Sequence, residues 1–311
     1  MNTNTRKKKR VDQIVRSIFL ASTLLSASFI IIIVIFIVMK GITPFITDND
    51  GLGVVNIWTF LTGTVWLQGT AFQSNLYAVG FIIVNTLYIA FLSLLLSLPV
   101  GVLTALFIAK IAPKRLAEFL RTIVELLASI PSIVYGLFGS GIILTFVYNL
   151  AELFGVQSKG GNSVLATVLV LALMTLPTIT AVSEVAIRSV RKDIEEGSLA
   201  LGATRTQTNF KVVLASAKSG IFAAAILGIG RSLGEATAVS LVAGNAKSGP
   251  NLGLFDITTT LTSTMLQGLK ETTGVDYDIR FSVGIVLMIV ILLTNFILNA
   301  VKKRVGNVNV K

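Results

Sequence analysis

Gly230-Arg231-Ser232-Leu233-Gly234-Glu235 lies in the middle of a 28-residue stretch, Ser219 to Ala246, that carries no other charge between Lys218 and Lys247. At about 1.5 Å per helical residue, Arg231 falls roughly 18 Å into that stretch, near the centre of a ~30 Å hydrocarbon layer. Burying one ionised side chain at that depth costs from about 3 to about 17 kcal/mol, depending on how it is measured. A charged pair kept there implies compensation, and the expectation is a chain that moves a polar or charged solute across a membrane.

Composition supports a membrane setting. Hydrophobic residues make up 53% of the 311 residues and charged residues 13%, with a mean hydropathy of +0.83, well away from the soluble average. Apolar runs long enough to span occur at 18–39, within 76–109, and at 126–150, 162–183, 219–246 and 281–301. None alternates with the period of two that barrel strands need, so the reading is an all-α membrane protein with six transmembrane helices.

Lysine and arginine set the expected orientation. With the N-terminus inside, segments 1–17, 110–125, 184–218 and 302–311 hold 6, 4, 6 and 4 basic residues. The outer segments 40–75, 151–161 and 247–280 hold 1, 1 and 3. This asymmetry predicts both termini in the cytoplasm, and the net charge of +11 is mostly a topology signal. Nucleic-acid binding is the weaker reading of the basic run Arg6-Lys7-Lys8-Lys9-Arg10. The 22-residue apolar stretch that follows exceeds a typical signal-peptide core, and no small-x-small site follows Met39, so an uncleaved first span is expected. The chain has no cysteine and no histidine, which removes thiolate and zinc sites, His relays and Ser/His nucleophile systems. No metal site and no resident cofactor are expected.

The organisation predicted is a basic N-terminus (1–17), a first span (18–39), an outer segment (40–75), a cooperative transmembrane domain (76–301) with a cytoplasmic loop at 184–218, and a tail (302–311). Trp58 and Trp66 suit either a membrane interface or the packing of a small outer loop. Pro99, Pro131 and Pro177 fall inside spans, where each removes a donor and is expected to kink or break its helix. Pro131 and Ser132, followed by Gly136, mark the most irregular stretch at membrane depth. Such irregularity is tolerated beside a water-filled path, although proline and glycine are common in membrane helices generally.

The loop at 184–218 has a definite design. Asp193-Ile194-Glu195-Glu196 has capping-box spacing, with a helix expected to Leu201 before Gly202 ends it. Thr204-Arg205-Thr206-Gln207 offers a second box, and Phe210, Val213, Leu214 and Ala217 form one apolar stripe on the helix it opens. A short helix projecting into the cytoplasm is the shape needed to dock a soluble partner.

This loop resembles the EAA loop of binding-protein-dependent ABC importer permeases. Glu196 is followed by Gly202 at the motif's spacing, and Val212-Val213-Leu214 begins ten residues further on. Gly197-Ser198 stands where the motif has two alanines, and Ala215 where it has proline. The flanking residues through Gly202, Ala203, Thr204 and Arg205 are close to the family form. The resemblance implies a MetI-like permease fold and a coupling helix seated on an ATP-hydrolysing subunit. Residues 230–239, Val242-Ala243-Gly244-Asn245, Gly160 to Ala166 and Ile130 to Gly136 are further similar to the phosphate-specific permeases of that family (the PstC group). That similarity implies phosphate as cargo, with Arg231 and Glu235 in its transport. It also implies a heterodimer with a second, PstA-like permease, two ATP-binding subunits, an extracytoplasmic phosphate-binding protein, and a bacterial or archaeal cytoplasmic membrane.

The residues themselves exclude an ATP site, since no Gly-x-x-x-x-Gly-Lys-Ser/Thr occurs. The chain is therefore expected to be a non-catalytic subunit. Asp48-Asn49-Asp50-Gly51 fails as a calcium loop because Thr59 takes the place of the last glutamate. At i and i+4, Arg231 and Glu235 are expected to share a helix face and neutralise each other, with Gly230 and Gly234 as a small-xxx-small contact beside them. Two roles stay open: a structural clamp between spans, or an arginine facing the path whose grip on an oxyanion the glutamate weakens. The alternatives in function are another oxyanion such as sulfate or molybdate, a proton-coupled secondary transporter using Glu235, or a signalling or scaffold membrane protein.

Overall fold

The computed structural model describes residues 3–51, 53–67 and 76–307. The remainder of the expected tail, 308–311, and part of the outer segment, 68–75, lie outside the described residues. Among the described residues six helices are long and apolar enough to cross a membrane, and the few β-bridges are isolated. The first span is α1 (Thr3–Ile42), followed by a short helix α2 (Ile57–Thr62) and the second span α3 (Gly80–Leu106), which continues as a wide π-turn through Ile111.

The third span corrects the expected 126–150. An amphipathic helix α4 (Lys114–Ser129) ends first, and the crossing helix runs from Ser132 to Leu153 as α5 (Ser132–Phe138), a π-turn and α6 (Leu144–Leu153). Pro131 is the reason: it forces Ile130 into extended backbone (ψ 126°) and cannot donate into a continuing helix. Pro99 and Pro177 lie inside α3 and the fourth span, α7 (Val164–Arg188), without ending either.

α7 is the centre of the bundle. Of its most apolar window 67% is buried, against 0% for α1, as expected for a helix enclosed by α3 on one side and the fifth span on the other. Gly101 of α3 and Gly228 of the fifth span bring those backbones close to Ile179 of α7, where an added Cβ would lie 2.8 and 2.9 Å from its side chain.

At one end of α7, the buried Glu184 accepts from Arg121 Nη2 of α4 at 2.6 Å and from Arg188 Nε at 2.7 Å. Arg188 also reaches the Ile108 carbonyl at 3.3 Å, so one carboxylate ties three elements together.

At the other end the expected outer segment 247–280 proves partly buried. It holds α12 (Leu261–Leu266), and the sixth span α13 begins at Val275, so Arg280 belongs to a helix. α1 meets α13 near its Ile42 end, through Phe36 on Phe281, the Lys40–Asp278 ion pair at 3.2 Å, and Ser282 Oγ donating to the Gly41 carbonyl at 2.7 Å. Trp66 is buried there against Tyr77, as the packing of a small loop requires, while Trp58 is 73% exposed. Burial, and then the hydrogen bond to Asp276, push the Tyr77 phenol well above its usual range.

Replacing Glu184 with alanine removes the acceptor shared by α4 and α7. Because both arginines retain water access, a loss of about 1–2 kcal/mol is expected. It would register as a lower thermal midpoint in detergent, and an unchanged midpoint would contradict the shared-acceptor account.

Candidate functional site

The fifth span is one helix from Arg205 to Gly234. It opens as a single turn, α9 (Arg205–Gln207), widens through a π-turn at Thr208–Val213, and proceeds as α10 (Leu214–Gly234). It then stops at the residue that the sequence reading placed on its face. Glu235 is extended (φ −79°, ψ 118°), and a new helix, α11 (Thr237–Val242), starts beyond it.

Side chains satisfy the backbone at this break. Glu235 Oε1 accepts from the Ala238 N–H at 3.0 Å, and the Glu235 carbonyl accepts from Thr262 Oγ1 of α12 at 2.7 Å. Backbone groups away from water need such partners. The expected span 219–246 is therefore two helices.

Arg231 and Glu235 accordingly do not share a helix face, and among the described residues no ion pair joins them. Arg231 Nη1 donates instead to Thr178 Oγ1 of α7 at 2.8 Å. One hydroxyl engages one of the five donors of a guanidinium, which leaves a partly exposed cationic fork beside the break. The expected glycine contact is not made within this chain. A Cβ added at Gly230 or Gly234 would meet nothing within 4 Å, whereas Gly228 makes the close approach to α7. The end of α10 that carries Arg231 thus presents an open face within this chain.

The helix-breaking stretch of the third span packs against the same break. A Cβ on Gly136 would sit 2.9 Å from Ala238 Cα and 2.8 Å from Leu241 Cδ1, and one on Gly139 would sit 2.9 Å from Val242 Cγ1. Absence of side chains at these two positions lets α5 and the following π-turn lie on α11. Pro131 is exposed and Ser132 half-buried at the start of α5, so the Pro131-Ser132-Gly136 stretch and the Arg231-Glu235 stretch meet through α11.

The sequence reading missed α12 and its partners. Six of the seven residues from Thr258 to Thr264 carry hydroxyls, and all seven are buried. Thr260 caps α12 in a reciprocal box with Ser263, and Thr86 of α3 accepts from the Leu261 N–H at 3.0 Å. The Thr264 carbonyl accepts from Nη1 of Arg280, which is fully buried, at 3.0 Å. The usable signal was the hydroxyl run itself, together with an arginine adjoining an apolar span.

At the far end of α7 and α10 the loop has the expected shape. α8 (Lys192–Ala200) is closed by Gly202 at φ +86°, where a left-handed residue is needed and glycine adopts it freely. The Ala203 N–H returns to the Ser198 carbonyl at 3.2 Å. Thr204 and Gln207 form the second capping box, while Val213, Leu214 and Ala217 pack with Ala105, Leu106 and Ile187; Phe210 is left exposed.

The first box is not formed. Arg191 is the cap residue, and Asp193 is engaged by Arg191, whose hydrogen bond holds the Asp193 carboxyl below its ordinary value. Glu196 and Arg205 are exposed, and Leu201 is 91% exposed. Lys110 pairs with Glu195, and Ser198 Oγ meets Thr208 Oγ1 at 3.0 Å, so α8 is tied to the π-turns that end α3 and begin the fifth span.

Two substitutions test this geometry. Thr262→Val leaves the Glu235 carbonyl without its donor at about 1–3 kcal/mol, whereas Thr262→Ser retains the hydroxyl; the valine variant alone should melt earlier in detergent. Gly136→Ala must push α11 away from α5 at about 1–3 kcal/mol, while Gly230→Ala should melt like wild type. Equal behaviour of the two alanine variants would contradict the packing described.

Residues 97–307 match the family described as binding-protein-dependent transport system inner membrane component. The probable ABC transporter permease protein YqgH of Bacillus subtilis is 34% identical over 92% of this chain and 89% of its own length. The phosphate transport system permease protein PstC 1 of Mycobacterium tuberculosis is 31% identical over 79% and 82%. The probable phosphate transport system permease protein PstC of Methanocaldococcus jannaschii is 28% identical over 94% and 95%. Among solved structures, a bacterial ABC transporter involved in the import of alginate superposes with a TM-score of 0.63 at 19% identity, over 97% of this chain and 99% of that one; it carries the fold only. With six helices long and apolar enough to span among the described residues and a family match over residues 97–307, the chain belongs to the family of binding-protein-dependent ABC importer permeases and is a multi-pass membrane protein.

Proposed function

We propose that this chain is a permease subunit that passes inorganic phosphate across the cytoplasmic membrane, with both termini in the cytoplasm. The observation that carries the proposal is Arg231. It is held by Thr178 at the end of α10, beside a backbone break whose open face is bare of side chains at Gly230 and Gly234. A planar fork with free donors suits tetrahedral oxyanions. Relatives named as phosphate transport permeases support that cargo. Glu235, turned toward Ala238 rather than Arg231, shapes the break and leaves the cation uncancelled.

In this reading the open face of α10 meets a second, PstA-like permease, and the path runs between the two. Two ATP-binding subunits dock on α8 through Glu196, Leu201 and the turn at Gly202 to Arg205, and they supply the energy. An external phosphate-binding protein delivers the ion. The chain itself is non-catalytic and holds no cofactor, and residues 76–301 form its transport domain.

Reconstitution with the ATPase subunits and partner permease tests this. Wild type should take up labelled phosphate at the expense of ATP, and Arg231→Gln should lower uptake by tenfold or more, since loss of a charged contact worth about 1.4 kcal/mol already gives a factor of ten. Uptake that competes with sulfate or molybdate, or that stops when a proton gradient is collapsed at constant ATP, would overturn the cargo or the energy source respectively.

A further inference from the structure

A second group of cations lies away from Arg231. Beyond α11 the chain forms a cavity of about 270 Å³ between residues 157–159 and 246–257. Lys159 comes from the loop after α6, Lys247 and Ser248 from the loop after α11, and Gln157 completes the polar wall. Neither lysine has a carboxylate within 4.0 Å among the described residues.

Both lysines sit on braced backbone. The Lys247 carbonyl accepts from the Trp66 N–H at 2.8 Å, and the Gly249 N–H donates to the Thr64 carbonyl at 3.1 Å. The Lys159 carbonyl accepts from both the backbone N–H and the side-chain amide of Asn162 at 3.3 Å.

Asp256 also lines the cavity, but its Oδ2 accepts from the Gly253 N–H at 3.2 Å. Buried Arg280 adds positive potential at Lys247. Asn251 on the cavity wall is held by a reciprocal amide pair: its N–H donates to Asn85 Oδ1 at 3.0 Å, and Asn85 Nδ2 donates to Asn251 Oδ1 at 3.3 Å. Asn85 is fully buried in α3, so this pair ties that wall to the bundle. The cavity would hold roughly nine waters at about 30 Å³ each, enough for an oxyanion that keeps part of its hydration.

Two uncompensated ammonium groups on rigid loops focus anions into such a cleft. A carboxylate at the rim keeps the affinity low enough for release. Only α11, about 9 Å long at 1.5 Å per residue, separates the loop bearing Lys247 from the break at Glu235.

We propose that this cavity is an outer capture site for a tetrahedral oxyanion such as inorganic phosphate, occupied before the ion reaches Arg231. The site rests on the orientation and cargo of the proposed function.

The test acetylates the assembled transporter in detergent with a membrane-impermeant amine reagent, with and without inorganic phosphate, and reads each lysine by peptide mass spectrometry. Phosphate should slow modification of Lys159 and Lys247 several-fold and leave the exposed Lys270 unchanged. In vesicles, Lys159→Gln with Lys247→Gln should raise the KM for phosphate several-fold while the maximal rate stays near wild type.

If wild type transports phosphate, yet neither lysine is protected and the double variant keeps the wild-type KM, the capture site is wrong. If wild type transports no phosphate, the cargo reading fails first. Protection by phosphatidylglycerol vesicles but not by inorganic phosphate would make this a lipid headgroup site and overturn the proposal.

Discussion

The hydrogen bond from Thr262 Oγ1 to the Glu235 carbonyl, 2.7 Å long, is the contact on which the centre of this permease depends. A helix interrupted within a bundle of membrane spans leaves backbone donors and acceptors with no water to receive them, at several kcal/mol for each group left unpaired. Here the carbonyl goes to Thr262 and the Ala238 N–H goes to the Glu235 carboxylate. With both ends of the break satisfied, α10 can stop at Gly234 and α11 can turn away toward α5. The result is a fixed discontinuity next to a cation.

That discontinuity is held from three sides. α12 is itself fixed by its own capping box, by Thr86 of α3 and by Arg280 of α13, so Thr262 acts from a braced platform. α5 closes on α11 because Gly136 and Gly139 have no side chains to keep it off. α7 supplies Thr178 to Arg231 and is the helix against which α3 and α10 both pack. At the opposite end α7 carries Glu184, which gathers Arg121 and Arg188, and the neighbouring π-turns are tied to α8 by Lys110–Glu195 and Ser198–Thr208. The turn after α8 and the break at Glu235 therefore bound the same long helix, Arg205 to Gly234.

Much of this architecture was legible without coordinates. Length and apolarity located six spans, because lipid admits few alternatives to a helix of about 20 residues. Gly202 and the Thr204–Gln207 box were legible because left-handed glycine turns and reciprocal caps are local devices, decided by neighbours in sequence. The Asp193 box was misjudged because its carboxylate had a nearer competitor in Arg191. The site was half legible. Arg231, Glu235 and Gly136 were singled out from residue type, and the structure brings them together around α11. Their relation was wrong, since i, i+4 spacing has meaning only while the helix continues.

The sequence by itself determined the membrane class, the number of spans, the family and the presence of a charged residue pair where lipid would punish it. Those follow from composition, charge asymmetry and short-range motifs, which are properties of the chain read in order. Only the tertiary structure decided that Arg231 turns to Thr178, that Glu235 serves the backbone of α11, and that a threonine-rich segment assigned to an outer loop is the buried platform for the break at Glu235. Arg231 depends on a partner 53 residues away and the Glu235 carbonyl on one 27 residues away, and Glu235 is free to reach Ala238 only because the helix breaks there; a hydrogen-bonding group buried away from water takes the partner that the packing brings near.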